Sequence, residues 1–346
     1  MMSEWIEKFK DYLQQQGYRH MTLVGYIDDI KQFYDFLRRK LGREPKLSDL
    51  SPEACREYLA EQAKTYRRST LMRRLASLRS FQRYLMSNGQ LEQPFVPPTR
   101  ELNQYFEQAQ ETQAVVCFNS QELLTLWERL LQIETPRAKR DLAIISLFVE
   151  WGFPSEWLIR FTLDDLDLDQ ARIRVTDIAK NEIWFPIKAA VEPLRRYLQI
   201  RPRFNAMPDT RGLFLSQLGR SISRQSLWQS LRSWGNVLHL AKPLTPQALR
   251  NTAAYRLSRA NVPPIVLQLA FGHTNPLSTR FLMRRLHRAC ENEDVSLVPI
   301  LHPDNTITME PGAEERLDEE FLSRLSAMPF PLDGNYGPRN REQEEA

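Results

Sequence analysis

One stretch of this chain, DLDLDQARIRVTDIAKNEIWFPI (165–187), alternates apolar and polar residues with the period of two that a half-buried strand requires. Nearly every other patterned segment repeats with the helical period of about 3.6. A chain patterned this way is expected to be mainly α, with one small antiparallel sheet of two or three strands. Its 346 residues exceed one typical core, so two domains with connecting or terminal segments are expected.

The helical segments carry their own punctuation. WIEKFKDYLQQQG places Trp5, Phe9, Tyr12 and Leu13 on one face and ends at Gly17, and the next segment starts behind Thr22 as a candidate N-cap and stops at Gly42. Ser51 and Pro52 read as cap and first position of a third helix. In the fourth, STLMRRLASLRSFQRYLMSNG, a stripe of Leu71, Leu75, Leu78 and Leu85 faces a core while Arg73 and Arg83 project from the other side, with Arg79 flanking. These segments form a helical domain over 1–90. Over 91–118 the pattern dissolves around Pro97 and Pro98, which reads as a linker. Helical periodicity returns in a second domain over 119–297, where SRQSLWQSLRSW is expected to bury Trp228 and Trp234. The rest, 298–346, reads as an acidic tail with one short amphipathic helix that gathers Leu317, Phe321, Leu322 and Leu325 on a stripe and is expected to dock in cis, on a second copy or on a partner protein.

Charge separates these parts further. The formal net charge is +4, but residues 301–346 contribute about −7 and leave about +11 on the body. An arginine-rich basic body suits a polyanionic partner. Cys55, Cys117 and Cys290 are far apart and form no CxxC or Cys/His cluster, so neither a disulfide framework nor a metal site is expected, and the three thiols read as small buried apolar groups. No window approaches the run of about 18 apolar residues that spans a membrane, and the N-terminus lacks the apolar stretch of a signal peptide. A cytoplasmic, nucleoid-associated protein without a cofactor is expected.

The order of segments, and above all LTPQALRNTAAYRLSRANVPPIVLQLAFGHTNPLST, resembles the tyrosine recombinase (phage integrase) family. The resemblance runs over roughly residues 4–290 and includes that family's H-x-L-R-H and L-G-H boxes. It implies a SAM-like core-binding domain followed by a catalytic-type domain, folded as a C-shaped clamp around duplex DNA. It also implies a strand-breaking site of two arginines, a hairpin lysine, two histidine-type positions and a tyrosine that joins covalently to a phosphate.

Carried over residue by residue, that site is incomplete. Arg250 matches the arginine of H-x-L-R-H and His273 the histidine of L-G-H, but Gln247 and Asn251 replace the two histidines of the first box. The segment that should hold the first arginine reads GFPSEWL, with Phe153 and Pro154 in its place. Lys180 is the lysine of the expected hairpin, about two positions out of register, and Leu282 stands nine residues after His273 where the tyrosine belongs. Ser278 and Thr279, just before it, read as helix-capping residues.

The reading that follows is a recombinase-fold protein that binds a specific duplex DNA site without cutting it, such as a target-site selector of a mobile element. The alternative is an active site-specific recombinase or integrase whose nucleophile is unusual or donated in trans. Candidate DNA contacts are Arg68, Arg73, Arg74, Arg79, Arg83, Arg224, Arg250, His273 and Arg280. Candidate partners besides double-stranded DNA are a second copy, or other recombination or transposition proteins, reached through the C-terminal tail.

Overall fold

α1 (Met2–Gln15) buries Met2, Ile6, Phe9 and Leu13, the stripe expected of a helix lying on a core, and Gly17 follows it in the left-handed region at φ 73°. The structure is a computed structural model that describes residues 2–18, 20–109, 114–176, 181–208 and 210–327. α2 (His20–Leu41) begins before Thr22, so Thr22 lies within its first turn and is not its cap. α3 (Pro52–Ala63) starts as its sequence requires, with the Ser51 hydroxyl accepting the Ala54 N–H at 3.1 Å. α4 (Arg68–Ser87) buries all four stripe leucines.

The segment read as a linker contains a helix. α5 (Thr99–Gln108) buries Leu102 and Phe106 in the same core as α1 to α4, and Phe95 and Val96 just before it join that core. Leu102, Tyr105, Phe106 and Ala109 pack on that core at the helical spacing i, i+3, i+4 and i+7, but the run is short and directly follows Pro97 and Pro98, whose turn signal points to a linker. The chain divides into two compact units where 113 meets 114, and the second holds everything described from 114 to 327.

The second unit is built around one helix. After α6 (Ser120–Leu131), α7 (Pro136–Trp151) runs from its Thr135 cap with residues 140–151 all buried, and stops at Gly152 in the left-handed region. α8 (Ser155–Leu158) follows. Next come β1 (Leu166–Asp167), β2 (Arg172–Thr176) and β3 (Glu182–Pro186), antiparallel in the order β1-β2-β3. Their register pairs Ile173 with Phe185 and Val175 with Ile183 on the buried face. α9 (Val191–Ile200), α10 (Arg224–Val237), α11 (Pro246–Arg259), α12 (Pro264–Ala270) and α13 (Pro276–Ala289) complete the helical body, with α9 and α11 packed on α7. Trp234 is buried in α10 as expected, but Trp228 is 43 % exposed, with the Arg232 guanidinium over its ring.

Two further expectations need correction. Cys117 and Cys290 form a disulfide across a sequence separation of 173. Local spacing rules see only nearby pairs, whereas here the fold carries the end of α13 back to the start of the unit. Cys55 is buried as expected, and burial pushes its thiol up to about 12.

As far as residue 327 the acidic segment docks in cis, and it adds a strand hairpin that the expectation of a tail with one helix lacks. β4 (Val298–Leu301) and β5 (Ile307–Glu310) form a hairpin against α6, and α14 (Glu319–Ala327) lies on the core. Leu325 is fully buried, Leu317, Phe321 and Leu322 pack beside it, and Phe321 meets the Phe185 ring edge-on at 5.7 Å. The connection between hairpin and helix is fixed by buried polar groups. Arg256 of α11 pairs with Glu314 and donates to the Glu150 carbonyl oxygen at 2.7 Å. The Glu150 carboxylate accepts the backbone N–H groups of Lys188, Ala189, Ala190 and Ala313, and burial pushes its carboxyl up to about 7.

The apolar stripe of α14 is therefore satisfied within its own chain. Leu325→Ala is expected to destabilise the second unit by roughly 2–5 kcal/mol, the usual cost of such a truncation in a core. A lowered urea midpoint of the full chain checks this, and an unchanged midpoint would mean that α14 docks elsewhere.

Candidate functional site

Two helix ends and one helix start converge on Arg250. α11 is begun by Thr245, whose hydroxyl accepts the Ala248 N–H at 3.1 Å, and it presents Arg250 one turn later. The guanidinium turns inward. Its Nε–H donates to the Gly152 carbonyl at the end of α7 at 2.9 Å, and Nη2 donates to the Phe271 carbonyl at the end of α12 at 3.1 Å. Burial lowers its pKa to about 10, so it remains a cation at neutral pH.

Gly272 makes the next step possible. It turns the chain at φ 65°, and a Cβ there would lie 2.9 Å from Pro154 and 3.1 Å from the Trp157 ring. His273 follows, its ring Nδ1 within 2.9 Å of the Thr279 hydroxyl. Burial first and the Arg250 charge second lower its pKa to about 4, which keeps the imidazole neutral near pH 7. α13 then starts at Asn275, whose side chain accepts the Leu277 N–H at 2.8 Å. Thr279 is thus no cap: it is buried and holds the histidine. A hydroxyl six residues after the histidine was the signal the sequence offered for it.

The replaced positions do structural work of their own. Phe153 is fully buried, edge-on to Phe185 at 5.4 Å and to Phe161 at 6.0 Å, and Pro154 begins α8. Gln247 donates to Asn251 at 2.8 Å, and Asn251 donates to the Val116 carbonyl at 3.2 Å. Leu282 sits in the middle of the unbroken helix α13, half-buried against the core. Tyr255 is buried edge-on to His287. Lys180 and Tyr336 lie outside the described residues.

The candidate DNA contacts divide by environment. In α4, Arg68 and Arg83 are exposed, and no ion pair holds either among the described residues. Arg73 is half-exposed and pairs with buried Asp29 of α2. Arg79 donates to Thr99 at 2.8 Å and to the Pro97 carbonyl at 3.3 Å, tying α4 to the start of α5. Arg74 corrects the expectation: it is buried, stacked on the Tyr66 ring at 3.9 Å and 3.9 Å from Asp29, so it faces the core and no groove. In the second unit Arg224 and Arg280 are exposed at the starts of α10 and α13. A cleft of about 430 Å³ beside α7 and α10 is lined by Arg137 and Arg140, but both are committed to buried Asp141, which also accepts from Trp234 at 2.7 Å.

Residues 118–285 match the phage integrase family, and residues 6–89 match the phage integrase N-terminal SAM-like domain. The chain belongs to this family. It is 27% identical over 288 residues to tyrosine recombinase XerC of Thermodesulfovibrio yellowstonii, covering 80% of this chain and 90% of that protein. It is 24% identical over 289 residues to tyrosine recombinase XerD of Staphylococcus epidermidis, covering 81% and 93%. Among solved structures, XerH recombinase bound to a palindromic difH substrate aligns with a TM-score of 0.62 at 17% identity, over 78% of this chain and 79% of that one. A lambda integrase tetramer bound to a Holliday junction aligns at 0.61 and 14% identity, over 82% and 78%. At these identities the structures establish the fold: a SAM-like helical domain and a catalytic-type domain with small antiparallel sheets. No helix among the described residues is long and apolar enough to cross a membrane.

The His273 environment makes a direct prediction. Its ring should titrate near 4, far below the usual 6.5, and Arg250→Ala should move it part of the way back by removing both a covering side chain and a positive charge. The sign for stability follows from the depressed value. Above about pH 6.5 neither state binds the proton; between there and about pH 4 only the unfolded chain does, so stability falls with falling pH over that window. NMR titration of the imidazole checks this, and an ordinary value near 6.5 would contradict the buried geometry.

Proposed function

We propose that this chain is a phage integrase family member that recognises a duplex DNA site and does not cleave it. The observation that carries the reading is Leu282, an aliphatic side chain on the unbroken helix α13 at the position of the family's nucleophile. In-line attack on phosphorus needs an atom with a lone pair and a removable proton, and Leu282 has neither. Other described candidates are poorly placed: Thr279 is buried and bonded to His273, and Tyr255 is buried against His287. Phe153 and Pro154 add a second loss, since removing one electrostatic donor of a charge-stabilising site typically costs about 10²–10³ in rate.

Binding is the function that survives these losses. The fold is that of proteins solved on DNA, and exposed Arg68, Arg83, Arg224 and Arg280 supply cations on both units without committed carboxylates. Arg73 contributes through its exposed half, and Arg250 with His273 forms a polar corner suited to one phosphate. The finer role is recognition of a target site for a mobile element, where a partner would supply the strand chemistry. The apolar stripe of α14 is used in cis, so association with a second copy or another recombination protein would use another surface.

Selection from a random pool of duplexes tests both halves of the reading. Bound DNA should converge on a common site and be recovered with both strands intact. A pool that never enriches would remove site recognition, and strands broken at a fixed position within an enriched site would restore the recombinase alternative.

A further inference from the structure

α13 has a face that the Arg250–His273 corner does not use. Thr279 and Leu286 fix its buried side, with Leu282 and Met283 half-buried beside them. On the opposite side Leu277, Phe281, Arg284 and Arg288 follow at i, i+4, i+7 and i+11, the spacing of a single stripe. Leu277 is 51 % and Phe281 65 % exposed. Such a stripe normally faces a core, so two large apolar side chains left on it mark a contact surface.

Charge selects the occupant. Residues 276–289 contain no Asp or Glu, and Arg280, Arg284, Arg285 and Arg288 are exposed, none of them in an ion pair among the described residues. A second copy meeting this face about a two-fold axis would bring like charges together without compensation. Duplex DNA offers what the stripe lacks: phosphates for the guanidiniums, and between them deoxyribose and base edges, including the thymine methyl, for an aromatic ring. The stripe also begins one turn after His273, on a helix whose opposite face Thr279 holds to that ring.

We propose that the exposed stripe of α13 is a DNA contact in which Leu277 and Phe281 lie against sugar and base edges while Arg284 and Arg288 hold the flanking phosphates. This rests on the DNA-binding reading and deepens it: the helix that would carry the family's nucleophile serves here as a binding element.

The test is fluorescence anisotropy of the full chain with a fluorescein-labelled mixed-sequence duplex over a salt series. Phe281→Ala should weaken binding about fivefold at every salt concentration without changing the salt slope, because an apolar contact releases no counterions. Arg284→Ala/Arg288→Ala should reduce the slope by about two. All substituted side chains are exposed, and thermal midpoints equal to wild type confirm that each variant folds. Wild-type binding with variants indistinguishable in affinity and slope would overturn the proposal while leaving the DNA-binding reading standing. Absence of binding by the wild type would fell that reading first and the proposal with it. Self-association that sedimentation finds lost in Phe281→Ala, with DNA affinity unaltered, would assign the face to a second copy and overturn the proposal.

Discussion

The second unit's site depends on how the half-buried Arg250 guanidinium is satisfied, by carbonyls and, among the described residues, by no carboxylate. Arg250 donates to the carbonyls of Gly152 and Phe271, the residues that end α7 and α12. Helix C-termini carry partial negative charge and unpaired carbonyls, so a cation placed between two of them is stabilised by both and in turn holds them together. Burial lowers its pKa to about 10, and the group stays charged at neutral pH. It also fixes the corner from which His273 projects, and the same charge contributes to keeping that ring neutral.

The rest of the corner follows from this constraint. Gly152 and Gly272 both adopt left-handed conformations, which lets two helices end close enough for one side chain to bridge them. α8 is tucked against Gly272 through Pro154 and Trp157, so apolar packing closes this side of the corner. Among the described residues, the groups at this corner are the Arg250 cation and the neutral His273 imidazole.

How much of this the sequence disclosed follows the range of the interactions. Local signals were readable: the Ser51–Pro52 start of α3, the leucines of α4, the alternation of β2 and β3, and the stripe on α14. The family boxes identified Arg250 and His273, which the fold brings together. Interactions between distant segments were not readable. Asp29, buried on α2, turns Arg73 and Arg74 from surface cations into partners of a buried carboxylate. Cys117 and Cys290 meet only because α13 returns to the start of its unit. α5 directly follows two prolines, whose turn signal outweighs the short helical spacing of Leu102, Tyr105 and Phe106, and Thr279 reads as a cap although α13 starts at Asn275. The fold of 298–316 was missed for a related reason, since its anchors Arg256 and Glu150 lie far back in the chain.

The central proposal is that this scaffold holds DNA and that none of its described residues is placed to attack it. The most direct measurement uses a nicked suicide substrate carrying the protein's own selected site, which traps any covalent intermediate, scored by denaturing gel and by mass spectrometry of the protein. The account predicts that all protein migrates free of DNA under denaturing conditions, at concentrations where the native complex is saturated. A covalent protein–DNA adduct that forms reproducibly and maps to any residue of this chain would contradict it.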